Sequence, residues 1–553
     1  MGAHIVRRDF VNVGTESDPK LLHYYVCGEG PAVILLHPSP ASASSFLWLL
    51  PHLANHVTAI AIDTPGYGYS DEISSEVSDL RPYVDALEAF RVAMDIDTMV
   101  IYGSATGTQI AIEYSKAFPH ACGELILDSI ADFPTDEYHA LLDNYFQDLS
   151  VDPSGSHLMK TWGMILDLMR FFPWHDSSKS GRLAVIPFTA EIVEAQLIQF
   201  LQAGAAYDKA YRVAFANERA ENIQSVETRT TIIRSSGSLI KRYADRLDNY
   251  QWPDHILMHH CGPSMDERRD AIVTLVANAT TAVVPVQLQH IEKVTDRQFI
   301  SVLSQNCFVK RYGSGNEEWL IIHDIGSSST AVNEIAEQIG ESASVIAPDL
   351  PEHGATDVAI AMSDNYVVAT ALMLQELLDT AGIAAANILA VGESAAIALE
   401  LQRIAPHFTK KIVLLDPLTN SEAIIANPVR DGSHLAIIWH ALRNRQLYYP
   451  RDDWTEEGKL LGELQLDAET INQQALDFLR SRKSYSRALR DTGQYRTQKT
   501  LAELNNCIVV QNADMTSGEH SRRNFRIPAG TKPLLWHSKN EAITDVIGAK
   551  NAN

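Results

Sequence analysis

Apolar and polar positions along this chain fall into short, almost continuous apolar runs separated by turn signals and by longer segments of helical period. AVILLH, TAIAID, TMVIYG, ELILD, WLIIH, SVIAPD, NILAVG and KIVLLD are runs of this kind. Such runs predict parallel strands buried on both faces, and the 3.6-period segments between them predict helices covering those faces. Strand and helix alternate twice along the chain, which predicts doubly wound α/β architecture present in two copies.

The copies can be aligned by motif. His37, Asp63, Gly68 and Asp71 recur as His323, Asp349, Gly354 and Asp357, each at an offset of 286. IAIEYSKAFP, from Ile110, matches IALELQRIAP, from Ile397, at an offset of 287, and Asp128 in LILDS matches Asp416 in VLLDP at 288. A near-constant offset marks an internal repeat. The seam is expected near 305–315, giving modules at 1–305 and 306–553. Between the fourth and fifth parallel runs each copy has an aromatic-rich helical stretch, expected as inserted caps at about 132–250 and about 418–500. Most of those aromatics, as in WGMILDLMRFFPWH, are expected to be core packing.

Length agrees with this reading, since 553 residues exceed what one hydrophobic core holds together. Lys plus Arg number 45 against 69 Asp plus Glu, a formal net charge of -24, so phosphate backbones and anionic lipid surfaces are repelled. Nucleic acid and membrane are therefore not expected as partners, and a small molecule is. Five scattered cysteines without a C-x-x-C pair suggest neither a disulfide framework nor a zinc site. The opening MGAHIVRRDF has no apolar core of a signal peptide, and a cytoplasmic location is expected. Metal-ligand and phosphate-loop motifs are absent from the sequence, so no cofactor and no metal are expected; the oligomeric state is left open.

Over nearly its whole length the sequence resembles the α/β-hydrolase family. The resemblance rests on the turn after the first long strand (HPSP), on DTPGYGYSD from Asp63 to Asp71, and on the strand–elbow–helix MVIYGSATGTQIAIEY. It implies a nucleophile on a tight strand-to-helix turn with small residues two positions to either side. Gly103 and Gly107 are those small residues, and the position between them is Ala105. Alanine cannot attack. Either it replaces the family's serine or the module is naturally without a nucleophile; reassigning the role to Ser104 would put Tyr102 and Thr106 where small residues are needed. The resemblance further implies His290 as general base, Asp128 (with Asp266 as alternative) as the acid orienting it, and the Ser39 and Thr106 N–H groups as oxyanion donors.

In the second module Ser394, Asp514 and His537 stand in the family's order of nucleophile, acid and base. The 287 offset, however, sets Ala105 against Gly392 and leaves Ser394 two residues past the elbow. The implied activity is a cofactor-free serine-type hydrolysis of a small, largely uncharged ester, lactone, thioester, amide or activated C–C bond, with one module degenerate. The alternatives are a ligand-binding pseudoenzyme and a lyase or acyltransferase on the same fold.

Overall fold

The computed structural model describes residues 4–15, 17–72, 76–183, 188–280, 285–286, 295–361, 364–417, 423–449, 459–460, 466–496, 499–500, 507–512 and 534–536. The chain divides into two compact units, residues 1–150 with 156–293, and residues 151–155 with 294–553.

Among the described residues the first unit has nine strands: β1 (Arg7–Asn12), β2 (Leu21–Cys27), β3 (Gly30–Leu36), β4 (Thr58–Ile62), β5 (Met99–Ser104), β6 (Cys122–Asp128), β7 (Thr230–Ser235), β8 (Ile256–Cys261) and β9 (Pro285–Val286). They lie in the order β1-β2-β4-β3-β5-β6-β7-β8, with β9 against β3. From β4 to β8 every neighbouring pair is parallel, whereas β1, β2 and β9 pair antiparallel. Continuous apolar runs suit the central strands because helices cover both faces: every residue from Ala32 to Leu36 is buried. On one face Val33, Leu35, Ala59, Ala61, Val100 and Tyr102 form a core with Leu50, Ile272 and Val276.

Between β6 and β7 the described residues form the α-helices Thr135–Asn144, Ser156–Leu168, Ala190–Ala203, Lys209–Asn217 and Ala220–Gln224. Aromatic residues in and beside these helices pack together: Phe215 meets Phe133 and Tyr145, which flank the first of them, and Tyr243, beyond β7, joins the cluster, while Trp162 is fully buried. The insertion thus ends before residue 230. The expected limit near 250 is too late, because Thr230–Ser235 is a strand paired with β6.

In the second unit β10 (Arg297–Val302), β11 (Gln305–Tyr312), β12 (Glu318–Ile322), β13 (Ser344–Pro348), β14 (Ala386–Val391) and β15 (Thr409–Leu415) precede a small ribbon of β16 (Tyr448–Tyr449) and β17 (Lys459–Leu460). Then come β18 (Cys507–Asn512) and β19 (Leu534–Trp536). The main sheet runs β10-β11-β13-β12-β14-β15-β18-β19, the first unit's order repeated strand for strand. Helices Ser433–Leu447 and Ala468–Gln494 lie between β15 and β18. The expected seam at 305/306 falls inside the β10–β11 hairpin; the division comes at 293/294 because β10 pairs along its length with β11.

Hydrogen bonds recur along with the strands. Asp63 accepts the Ala43 N–H at 2.6 Å and the Tyr69 N–H at 2.8 Å; Asp349 accepts those of Ser329 and Ala355 at the same distances. His37 Nε2 accepts the Thr64 N–H at 3.0 Å, as His323 Nε2 accepts that of Leu350. Each carboxylate sits so close to a glycine of positive φ, Gly68 or Gly354, that a Cβ there would overlap it. These acids and histidines are therefore ties that fix the turns after β4 and β13. Burial holds His37 below its ordinary pKa, which keeps the ring neutral and Nε2 free to accept.

Candidate functional site

The end of β5 is where the first unit departs from relaxed geometry. Ala105 adopts φ 47, ψ -113 between β5 and the helix Thr106–Ala117. This is a region that L-residues avoid, at a cost of about 1–3 kcal/mol. Neighbouring packing enforces it: a Cβ on Gly103 would lie 2.5 Å from Gly107 O, and one on Gly107 would overlap Leu36 O. The Ala105 N–H donates to Asp128 O at 3.0 Å, and its carbonyl accepts the Thr108 N–H at 2.8 Å and the Thr108 hydroxyl at 2.6 Å. With its backbone satisfied this way, the turn holds the Ala105 Cβ in a half-buried position.

Beside it the loop after β3 approaches the start of the helix. The Ser39 N–H donates to Thr106 Oγ1 at 3.3 Å, and both residues are buried. The two proposed oxyanion residues are thus brought together, at a helix N-terminus whose dipole favours negative charge.

The expected acid is not confirmed in its role by its surroundings. Asp128, at the end of β6, accepts from Tyr102 Oη at 2.7 Å and from Arg268 Nε at 2.7 Å. Burial opposes the charge on Arg268, but the Asp128 carboxylate outweighs it and holds the guanidinium above its ordinary pKa. Asp128 is therefore a buried ion-pair partner of Arg268; the histidine it is expected to orient, His290, lies outside the described residues, and its assignment as the orienting acid is carried forward as a proposal. The alternative, Asp266, is exposed in the first turn of the helix Met265–Ala279 and pairs with Arg269 at 2.6 Å. The loop after β8 reads Gly262, Pro263, Ser264, and Ser264 caps that helix through a reciprocal bond with Glu267. His290 lies outside the described residues. β9, just before it in sequence, pairs Val286 with Gly30 at the start of β3, the end of the strand opposite the elbow.

In the second unit the elbow residue is Gly392, at φ 60, between β14 and the helix Ala395–Ile404. Ser394 is not in the turn. It has helical backbone, is fully buried, and its hydroxyl donates to His323 O. That hydroxyl is engaged and faces no solvent. At the 287 offset Ser394 corresponds to Gly107: both follow the elbow by two residues and press on the strand beneath, Gly107 by close backbone contact and Ser394 by a hydrogen bond. Asp514 and His537 lie outside the described residues.

Sequence reading passed over Asp324. Its Oδ1 accepts the Ile325 N–H and the Glu393 N–H, each at 2.9 Å. The available signal was the departure from repeat, an acid where the first copy has Pro38.

Among the buried acids at the insertions, two have raised pKa values. Glu218 accepts the Ala131 N–H at 2.7 Å, and burial pushes its carboxyl up to about 8. Asp477 accepts from Ser328 Oγ at 2.7 Å, and burial raises it to about 6. Among the described residues no helix is long and apolar enough to cross a membrane.

Comparison with known proteins gives a family match and several partial likenesses. Residues 31–190 match the sequence model of the family described as alpha/beta hydrolase fold. A 2-hydroxy-6-oxononadienedioate/2-hydroxy-6-oxononatrienedioate hydrolase of Pseudomonas putida is 32% identical over 111 residues, 19% of this chain and 39% of that protein. An uncharacterized protein of Mycobacterium tuberculosis is 28% identical over 106 residues, 19% of this chain and 31% of its own. The chain thus spans less than two fifths of these relatives' lengths. Among solved structures, a mutant meta-cleavage product hydrolase of Pseudomonas fluorescens IP01 complexed with acetates is 18% identical, covering 50% of this chain and 97% of that one, with a TM-score of 0.37. An epoxide hydrolase from an endophytic Streptomyces is 17% identical, covering 50% and 96%, with a TM-score of 0.39.

Proposed function

With residues 31–190 matching the sequence model described as alpha/beta hydrolase fold, we propose that the first unit is a cofactor-free, hydrolase-type site for a small, largely uncharged carbonyl compound, with position 105 as the point of attack. The class includes esters, lactones, thioesters, amides and activated C–C bonds. One observation carries the reading: Ala105 keeps the strained φ 47, ψ -113, a conformation of use for lifting a reactive side chain above a sheet and of no use for stability. Ser39 and Thr106 N–H groups are assigned to the developing oxyanion, and the helical insertion at 129–229 to a cap that keeps water from the site. The second unit is assigned as a duplicated module at an offset of 286–288.

As it stands the site presents a methyl group and cannot form an acyl-enzyme. A serine at 105 supplies the missing oxygen: Oγ attacks the carbonyl carbon, His290 is assigned to take its proton and pass it to the leaving group, and water then releases the acid. The test is release of p-nitrophenol from p-nitrophenyl acetate by the parent and by Ala105→Ser. The expected result is no release above buffer for the parent and a burst followed by turnover for the variant. Adding His290→Ala then lowers kcat by several orders of magnitude with little change in KM. Folded Ala105→Ser protein without turnover overturns the reading.

A second reading is a scaffold that binds such a compound without turning it over. It is favoured by the engagement of Asp128 with Tyr102 and Arg268 and by Pro263 in the loop after β8. Saturable binding by the parent together with an inert Ala105→Ser variant would select it.

A further inference from the structure

The contacts of Asp324 point to something separate from the first unit's chemistry. Two N–H groups, from the loop after β12 and from the residue after the elbow, converge on a single carboxylate oxygen, each at 2.9 Å. At the repeat offsets Ile325 corresponds to Ser39 and Glu393 to Thr106, the pair assigned to the oxyanion in the first unit. An oxygen bearing negative charge between these donors is what a tetrahedral intermediate, or the carboxylate product of hydrolysis, would place there. The carboxylate also excludes the rest of a catalytic centre. A Cβ built on Gly392 would overlap its atoms, so no side chain can stand at the elbow while Asp324 is there.

We propose that the second unit retains an oxyanion-type anion site whose resident ligand is the chain's own Asp324 carboxylate, and that the class of molecule able to take its place is a small carboxylate. The site is built rather than incidental, because its loop is fixed by contacts that do not involve the Asp324 side chain. His323 Nε2 accepts the Leu350 N–H, the Gly326 N–H donates to His353 Nε2 at 3.0 Å, and the Ser329 N–H donates to Asp349. Ser328 Oγ donates to Asp477 on the long helix Ala468–Gln494, and Tyr485 of that helix packs against Gly326. Shortening Asp324 therefore leaves both N–H groups aimed at one point with no acceptor between them. Two buried N–H groups converging on one point from separate loops are then a receptor for an external anion. The parent binds none there, since a tethered carboxylate outcompetes a free one through its effective concentration.

The experiment uses full-length protein labelled with 15N at isoleucine and glutamate, so that the Ile325 and Glu393 amides are observed directly. Sodium acetate, sodium formate and neutral acetamide are added to the parent and to Asp324→Ala. In the variant both amides are expected to shift together and saturably with acetate and with formate, and to ignore acetamide. Its melting temperature should rise with the logarithm of acetate concentration. The parent should show neither response. Folded Asp324→Ala protein with unmoved amides, or a parent that responds equally, overturns the proposal. If Asp324→Ala does not fold, Asp324→Asn keeps the side chain's shape with a weaker, neutral acceptor. Both amide protons should then move upfield of the parent, and the proposal fails if either stays in place. Because no step involves position 105, this outcome is independent of whether the first unit hydrolyses anything.

Discussion

The two elbows share a sheet order and a set of turn-fixing hydrogen bonds, and they differ in what occupies the space above the strand. At the first, Ala105 holds a side chain in a strained conformation with glycines two positions to either side, and the adjacent Ser39 N–H donates to the Thr106 hydroxyl. At the second the elbow residue is a glycine, for which positive φ costs little, and a carboxylate fills the position a reacting oxygen would take. The first turn is strained and carries a side chain; the second is relaxed and holds an internal carboxylate. The same fold thus carries two different elbows, and the proposed function rests on the first.

Several substitutions sharpen or break this contrast. Gly107→Ala carries the largest expected effect, about 4 kcal/mol lost from the first unit, because the new Cβ overlaps the carbonyl of Leu36, which a strand cannot move. Its counterpart Ser394→Ala should cost only about 1 kcal/mol, the worth of one hydrogen bond to His323 O. Urea denaturation of each variant checks both, and equal costs would mean that the two elbow helices sit alike on their strands. Gly392→Ser is expected to cost about 3 kcal/mol, from positive φ plus displacement of Asp324 from its two donors. Ala105→Ser, where a Cβ already exists in the strained turn, should cost less than about 1 kcal/mol. In an Asp324→Ala background the penalty for Gly392→Ser should fall by at least half, a coupling that a double-mutant cycle reads directly.

The buried acids give a smaller contrast in pH. Glu218 has its folded pKa raised to about 8, so folded protein binds more protons than unfolded protein and stability falls as pH rises from the ordinary glutamate range through 8. Asp477, raised to about 6, imposes the same sign over a lower window that closes near pH 6. Glu218→Gln should therefore flatten the loss between pH 6 and 8 by on the order of 2 kcal/mol, while Asp477→Asn should act only below that range. Melting curves at pH 5, 6, 7 and 8 separate the two, and identical profiles for both variants would contradict the assignment.

Much of this arrangement was legible in the sequence because it is local or periodic. Offsets of 286 and 287 follow from strand and turn patterns, and two glycines flanking position 105 follow from the steric needs of a tight turn. What could not be read depends on residues far apart in the chain. Asp128 stands at the end of a strand where the family keeps acids, but nothing in LILDS says that Arg268, 140 residues later, will claim its carboxylate. Ser394 sits in a plausible G-x-S context, yet its hydroxyl is turned onto a carbonyl by the way the helix meets β12. The boundary of the first insertion was misplaced because TTIIRS is a short run that only pairing with β6 identifies as a strand. Asp324 looked like an ordinary turn residue until the Glu393 N–H was brought to it from 69 residues away.

The central claim is that the first elbow is a site for a nucleophile and the second is not. It is tested most directly by exposing Ala105→Ser and Gly392→Ser proteins, each shown to be folded, to a fluorophosphonate that phosphonylates activated serines, and locating the adduct by peptide mass. The account predicts an adduct on residue 105 in the first variant and none on residue 392 in the second; an adduct at 392, or none at 105, would contradict it.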